Sequence, residues 1–110
     1  MKRKTATKLL QTLGDPYRLA IVEYLSAAPH SVQQLANKLP ISRPAVSRHL
    51  RVLKVNKFVS DEARGAQRIY NLRPDGLDAL RRYLEQLWED AERRFVIAAE
   101  NTAPGHDKQP

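Results

Sequence analysis

Ser42-Arg43-Pro44-Ala45-Val46-Ser47-Arg48-His49-Leu50-Arg51-Val52-Leu53-Lys54 reads as a short helix with one apolar face and one basic, hydroxyl-bearing face. Val46, Leu50 and Leu53 stack at i, i+4 and i+7, while Pro44, Ser47, Arg48 and Arg51 line the opposite side and Arg43 and Lys54 stand at its margins. An ordinary surface helix mixes acids among its bases. This one has none, and the acid-free stretch runs from Tyr24 to Ser60.

Working outward, the charge is segregated along the chain. Up to Lys57 there are 11 Lys and Arg against 2 Asp and Glu, and after it 8 against 10, within a formal net charge of +7 over 110 residues. A fold that shows the first half on one side therefore carries a positive face, which attracts phosphate backbones in a salt-dependent way. The length suits one domain with its own core. The expected division is residues 1–100 for that domain and residues 101–110 for a polar, disordered tail.

The chain has no cysteine, which excludes a disulfide framework, a thiolate metal site and a cysteine nucleophile together. The basic start, Met1 to Lys8, is followed by no sustained apolar run, and no segment reaches the length of a membrane span. A cytoplasmic protein without a membrane partner is the simplest expectation. Ser, His and Asp all occur, but nothing sets them as nucleophile and base, and the four glycines form no phosphate loop, so an enzyme is not expected.

Helix signals precede the quoted stretch. Leu9, Leu10 and Leu13 share a stripe in a first helix from about Lys4, ended by Gly14. Asp15-Pro16 pairs an N-cap side chain with a proline at the first helical position. The second helix has Leu19, Ile21, Val22 and Leu25 inside and stops near Ala28-Pro29; Ser31 caps a third, with Val32, Leu35, Ala36 and Leu39 inward. Pro40-Ile41 forms the turn into the fourth, which Ser42 caps.

After Lys54 the period shortens. Residues 58–62 and 67–72 read as two strands joined by Ala63-Arg64-Gly65-Ala66, a β-hairpin in which glycine supplies the positive φ, with Arg64 at the tip and Arg68 just beyond. Arg73-Pro74-Asp75 opens a long last helix whose Leu77, Leu80, Leu84, Leu87 and Ala91 are spaced 3, 4, 3, 4 and are joined by Trp88 and Phe95. Such a seam calls for a partner, and the same helix of a second copy is the cheapest one.

Helix, helix, short turn, helix, hairpin is the order of a winged helix-turn-helix, a mainly α fold with a small β-hairpin. In that arrangement the third helix crosses the DNA backbone, the fourth enters the major groove, and the hairpin reaches an adjacent groove or phosphate. Pro44, Ser47, Arg48 and Arg51 are the candidate base readers: either arginine can bond guanine O6 and N7, and Pro44 offers an apolar surface to a thymine methyl. Ser42, Arg43, Lys54, Arg64 and Arg68 are the candidate phosphate contacts, which position without reading sequence. His49 is expected to pack on a neighbouring helix, His30 to sit in a turn and His106 in the tail, and none has a metal-ligating neighbour at suitable spacing.

Four segments together resemble the ArsR/SmtB family of bacterial winged-helix repressors. They are Leu13-Gly14-Asp15-Pro16-Tyr17-Arg18-Leu19-Ala20-Ile21, Ser31-Val32-Gln33-Gln34-Leu35-Ala36, the quoted helix, and Arg64-Gly65-Ala66-Gln67-Arg68-Ile69-Tyr70-Asn71-Leu72. The resemblance covers about Leu9 to Leu72. It implies a homodimer built from the first and last helices, with Leu9, Leu10, Leu13, Leu80, Leu84, Leu87, Trp88, Ala91 and Phe95 at the interface. It also implies a near-palindromic double-stranded DNA operator in or beside the protein's own promoter, repression by excluding the polymerase, and release on an effector signal. Metal-sensing members carry Cys-x-Cys where this chain has Ser31 and Gln33, and others use Asp and His of the last helix, which here has no histidine between Pro74 and Glu100. No metal and no cofactor is therefore expected, and the effector is unknown. Two rival readings are a sensor with an unrecognised metal or small-molecule site at the dimer seam, and a winged helix that binds protein or RNA.

Overall fold

A computed structural model describes residues 2–101. The expected tail thus lies outside the described residues except for Asn101, and so does His106. The chain divides into two units, one ending at Leu80 and one starting at Arg81.

The first unit opens with α1 (Arg3–Leu13) and α2 (Pro16–Ala27). Asp15 starts α2 as expected: its Oδ1 accepts from the backbone N–H groups of Tyr17 and Arg18 at 2.9 and 3.1 Å, and Pro16 follows at the first position. Burial alone would raise the Asp15 carboxyl, but those two amides hold it below its ordinary value. Arg18 then closes the other side of the turn. Its Nε donates to the Thr12 carbonyl at 2.7 Å, one of the carbonyls left over at the end of α1.

Ser31 caps α3 (Val32–Lys38) through a reciprocal pair, its hydroxyl accepting from the Gln34 amide while its own amide donates to Gln34 Oε1. Ser42 caps α4 (Arg43–Val55) by accepting from the Ala45 amide. Val46, Leu50 and Leu53 are each 0% exposed, so the apolar face of the quoted stretch is the side that docks. They pack with Leu9, Ile21, Val22, Leu25, Leu35, Phe58, Val59 and Leu80 in one core.

The sheet departs from expectation in two ways. His30 and Ser31 form a short strand, β1, antiparallel to β3 (Gln67–Leu72), so the sheet has three strands in the order β1-β3-β2 and His30 is a buried strand residue instead of part of a turn. The hairpin loop is also shorter: β2 (Val59–Arg64) runs on until Arg64 pairs with Gln67, leaving only Gly65 and Ala66 between. Gly65 takes a φ of +60° at the first of these two positions, where a type II′ turn places glycine.

Leu19 is a further correction, since it is exposed. Ile21, Val22 and Leu25 already fill the inward arc of α2, and Leu19 falls about 60° beyond its edge. The long α5 (Pro74–Asn101) enters close against the core at Gly76. A Cβ there would stand 2.7 Å from Phe58 Cδ1 and 2.9 Å from the Asn56 and Lys57 carbonyl oxygens. Only glycine fits. From Arg81 onward α5 is amphipathic, and Leu84, Leu87, Trp88, Phe95, Val96 and Ile97 are exposed.

Candidate nucleic-acid interface

Docking of Val46, Leu50 and Leu53 turns the opposite side of α4 outward. Pro44, Arg48 and Arg51 are exposed and Ser47 is half-buried. Among the described residues neither arginine side chain has a hydrogen bond or ion pair, so both guanidinium forks keep their donors. Ser42 and Arg43 lie at the N-terminal end of the helix, and Arg43 Nη1 makes a long, 3.5 Å bond to Gln33 Oε1.

At the other end of α4 the structure brings together three residues of which the sequence suggested two. Lys54 Nζ lies 2.7 Å from Asp61 Oδ1, and Arg68 Nη1 donates to Asp61 Oδ2 at 2.9 Å. Asp61 has a side chain only 6% exposed, whereas those of Lys54 and Arg68 are about half exposed. The Lys54 hydrogen bond holds the Asp61 carboxyl below its ordinary value; burial opposes it and Arg68 adds to it. One carboxylate of β2 thus ties α4 to β3. Sequence reasoning missed Asp61, although its place as the first acid after the acid-free stretch was a signal.

Arg64, by contrast, pairs among the described residues with Glu62 alone, at 3.1 Å near the hairpin tip. Another group orients α4 from behind. His49 is half-buried, with Nδ1 3.4 Å from Arg18 Nη1 and its ring 6.0 Å from that of Tyr17, a packing role of the expected kind. The buried His30 accepts a 2.7 Å bond from the Lys38 ammonium at Nε2, which leaves Nδ1 to donate to the Ala28 carbonyl.

The positions where related sensors carry cysteines are occupied structurally. Ser31 caps α3, and Gln33 Nε2 donates to Asn37 Oδ1 at 2.8 Å. Among the described residues, no group of three or more His, Asp or Glu side chains is placed to hold a metal ion, and no helix is long and apolar enough to cross a membrane. Of the expected interface residues, Leu9 and Leu80 are buried in the chain's own core and Leu13 is half-buried, whereas Leu10, Leu84, Leu87, Trp88, Ala91 and Phe95 are exposed. Trp88, Ala91, Glu92, Phe95 and Val96 line a shallow apolar hollow on α5.

Known proteins share this arrangement. The helix-turn-helix domain family matches residues 13–60. HTH-type transcriptional regulator Rv2034 of Mycobacterium tuberculosis is 51% identical over 81 residues, covering 74% of this chain and 76% of that one. The HTH-type transcriptional repressor SmtB of the same organism is 37% identical over 67 residues, which span 61% of this chain and half of SmtB. Among solved structures, an ArsR-like transcriptional regulator from Rhodococcus sp. RHA1 superposes with a TM-score of 0.79 at 27% identity, over 94% of this chain and 96% of its own.

Proposed function

Because the chain belongs to the ArsR/SmtB family of DNA-binding winged helix-turn-helix regulators, we propose that it is a dimeric repressor of its own or a neighbouring operon, with a near-palindromic operator. The observation that carries this reading is the outer face of α4, where Arg48 and Arg51 stand exposed and unpaired among the described residues in a segment without an acid. In this reading Arg48 and Arg51 bond guanine edges, Ser47 and Pro44 complete the base contacts, and Ser42, Arg43, Lys54, Arg64 and Arg68 hold phosphates. α4 enters the major groove, and the β2–β3 wing lies on an adjacent groove or phosphate.

A second copy supplies the twofold axis. The exposed Leu84, Leu87, Trp88 and Phe95 of α5, with Leu10 of α1, give it apolar surface to cover. Two α4 helices then enter successive major grooves roughly 34 Å apart. Gel shifts of the purified protein on the DNA upstream of its own gene, against a scrambled duplex of equal length, test the proposal. A sequence-dependent shift supports it; equal affinity for both duplexes, or none, refutes it.

A further inference from the structure

Apart from the faces already described, the molecule has a polar cleft of about 310 Å³ where the start of α3, the first turn of α4 and the start of β3 come together. Ser31, Gln33, Arg43, Gln67 and Arg68 supply its polar lining, and no acid is among the lining residues. Two cations and two side-chain amides converge there. Among the described residues Arg43 spends one long bond, on Gln33 Oε1, and Arg68 gives one nitrogen to Asp61, so most of the ten guanidinium N–H donors of the pair remain. β1 ends with Ser31 opposite Ile69, so Gln67 and Arg68 of β3 have no strand beside them on the cleft side.

We propose that this cleft holds one phosphate group, with Arg43 and Arg68 as its charged partners and Gln33 and Gln67 at its sides. Planar guanidinium forks fit tetrahedral oxyanions, and no acid among the lining residues competes for the donors that remain beside the Arg68–Asp61 pair. Arg43 and Arg68, from separate elements, then act on one phosphate, and the two glutamines join the binding surface. The phosphate is either a backbone phosphodiester of bound duplex or a free small anion. The first source rests on the DNA-binding reading; the second does not.

The test uses the ¹⁵N-labelled full chain and its Gln33→Glu and Gln67→Glu variants, which keep side-chain size and add a negative charge to the cleft. Amide spectra are followed during titration with inorganic phosphate, with chloride at matched ionic strength as control, and separately with a random-sequence duplex. Signals of residues 31–33 and 67–68 are expected to move saturably with phosphate, with duplex or with both, and either variant to weaken that response about tenfold, the loss of one charge-assisted contact. Movement with phosphate identifies a free-anion site, and movement with duplex alone identifies the backbone. A duplex that moves Arg48 and Arg51 while the cleft signals stay still under both titrations overturns the proposal and leaves the DNA reading intact. Wild-type affinity in both variants also overturns it. A duplex that moves neither region refutes the DNA reading, and the phosphate titration then decides the cleft by itself.

Discussion

Replacing Asp61 by Asn removes a carboxylate that two cations share, while keeping its shape. Asparagine still accepts from one cation, but it turns an amide N–H₂ toward the other. The worth of the contact lies between two limits, about 0–1 kcal/mol for an exposed ion pair and about 3–5 kcal/mol for breaking a buried one. Asp61 is nearly buried and its partners are half exposed, so solvent screens much of the attraction. About 1–2 kcal/mol follows, a fall in Tm of about 5–10 °C for a domain of this size. The Asp61 carboxyl is held below its ordinary value, so its contribution is complete above the unfolded pKa of about 3.9 and is lost as pH falls through the folded value. The gap between wild type and variant is therefore constant near neutrality and closes only below about pH 4. Without the carboxylate they share, Lys54 and Arg68 hold their phosphates with undivided charge, so the variant binds random duplex more tightly at every salt concentration. Circular dichroism melts across pH and fluorescence anisotropy across salt read both effects. An unchanged Tm at neutral pH, or a gap that persists in acid, refutes the assignment of Asp61 as the tie between wing and helix.

Other substitutions separate the remaining roles. Arg48→Ala should cost about 1–3 kcal/mol on the operator and relax its specificity, whereas Lys54→Ala should weaken operator and random duplex alike and flatten the salt slope, as competition binding would show. Gly76→Ala forces a methyl group against Phe58 and two carbonyls and should lower stability by about 1–3 kcal/mol in urea melts, with wild-type stability as the contrary result. A Trp88→Asp, Phe95→Asp double variant should halve the mass seen by light scattering, from twice 12.6 kDa to that value, while leaving the helical signal intact.

The parts of the fold that were legible from the sequence are those set by local chemistry. Asp15-Pro16, Ser31 with Gln34, and Ser42 each satisfy backbone donors within three residues, so those helix starts could be read from adjacent side chains. The inward face of α4 followed from spacing alone. β1 could not be read this way, because two residues carry no periodicity and His30 becomes a strand only when Tyr70 arrives beside it from far along the chain. Leu19 was misplaced because hydrophobicity was read without the width of the buried arc. At the candidate interface, the exposed arginines of α4 were legible as a face, but the tie through Asp61 was not. It joins residues from α4, β2 and β3, and only the folded wing brings their side chains together.

In the proposed function two copies read one operator through paired α4 helices. Hydroxyl-radical footprinting of the protein on the DNA upstream of its gene tests it most directly. Two twofold-related protected patches centred about 10–10.5 base pairs apart are expected, both lost in Arg48→Ala at concentrations where random binding persists. A single patch, or uniform protection insensitive to Arg48, would contradict it.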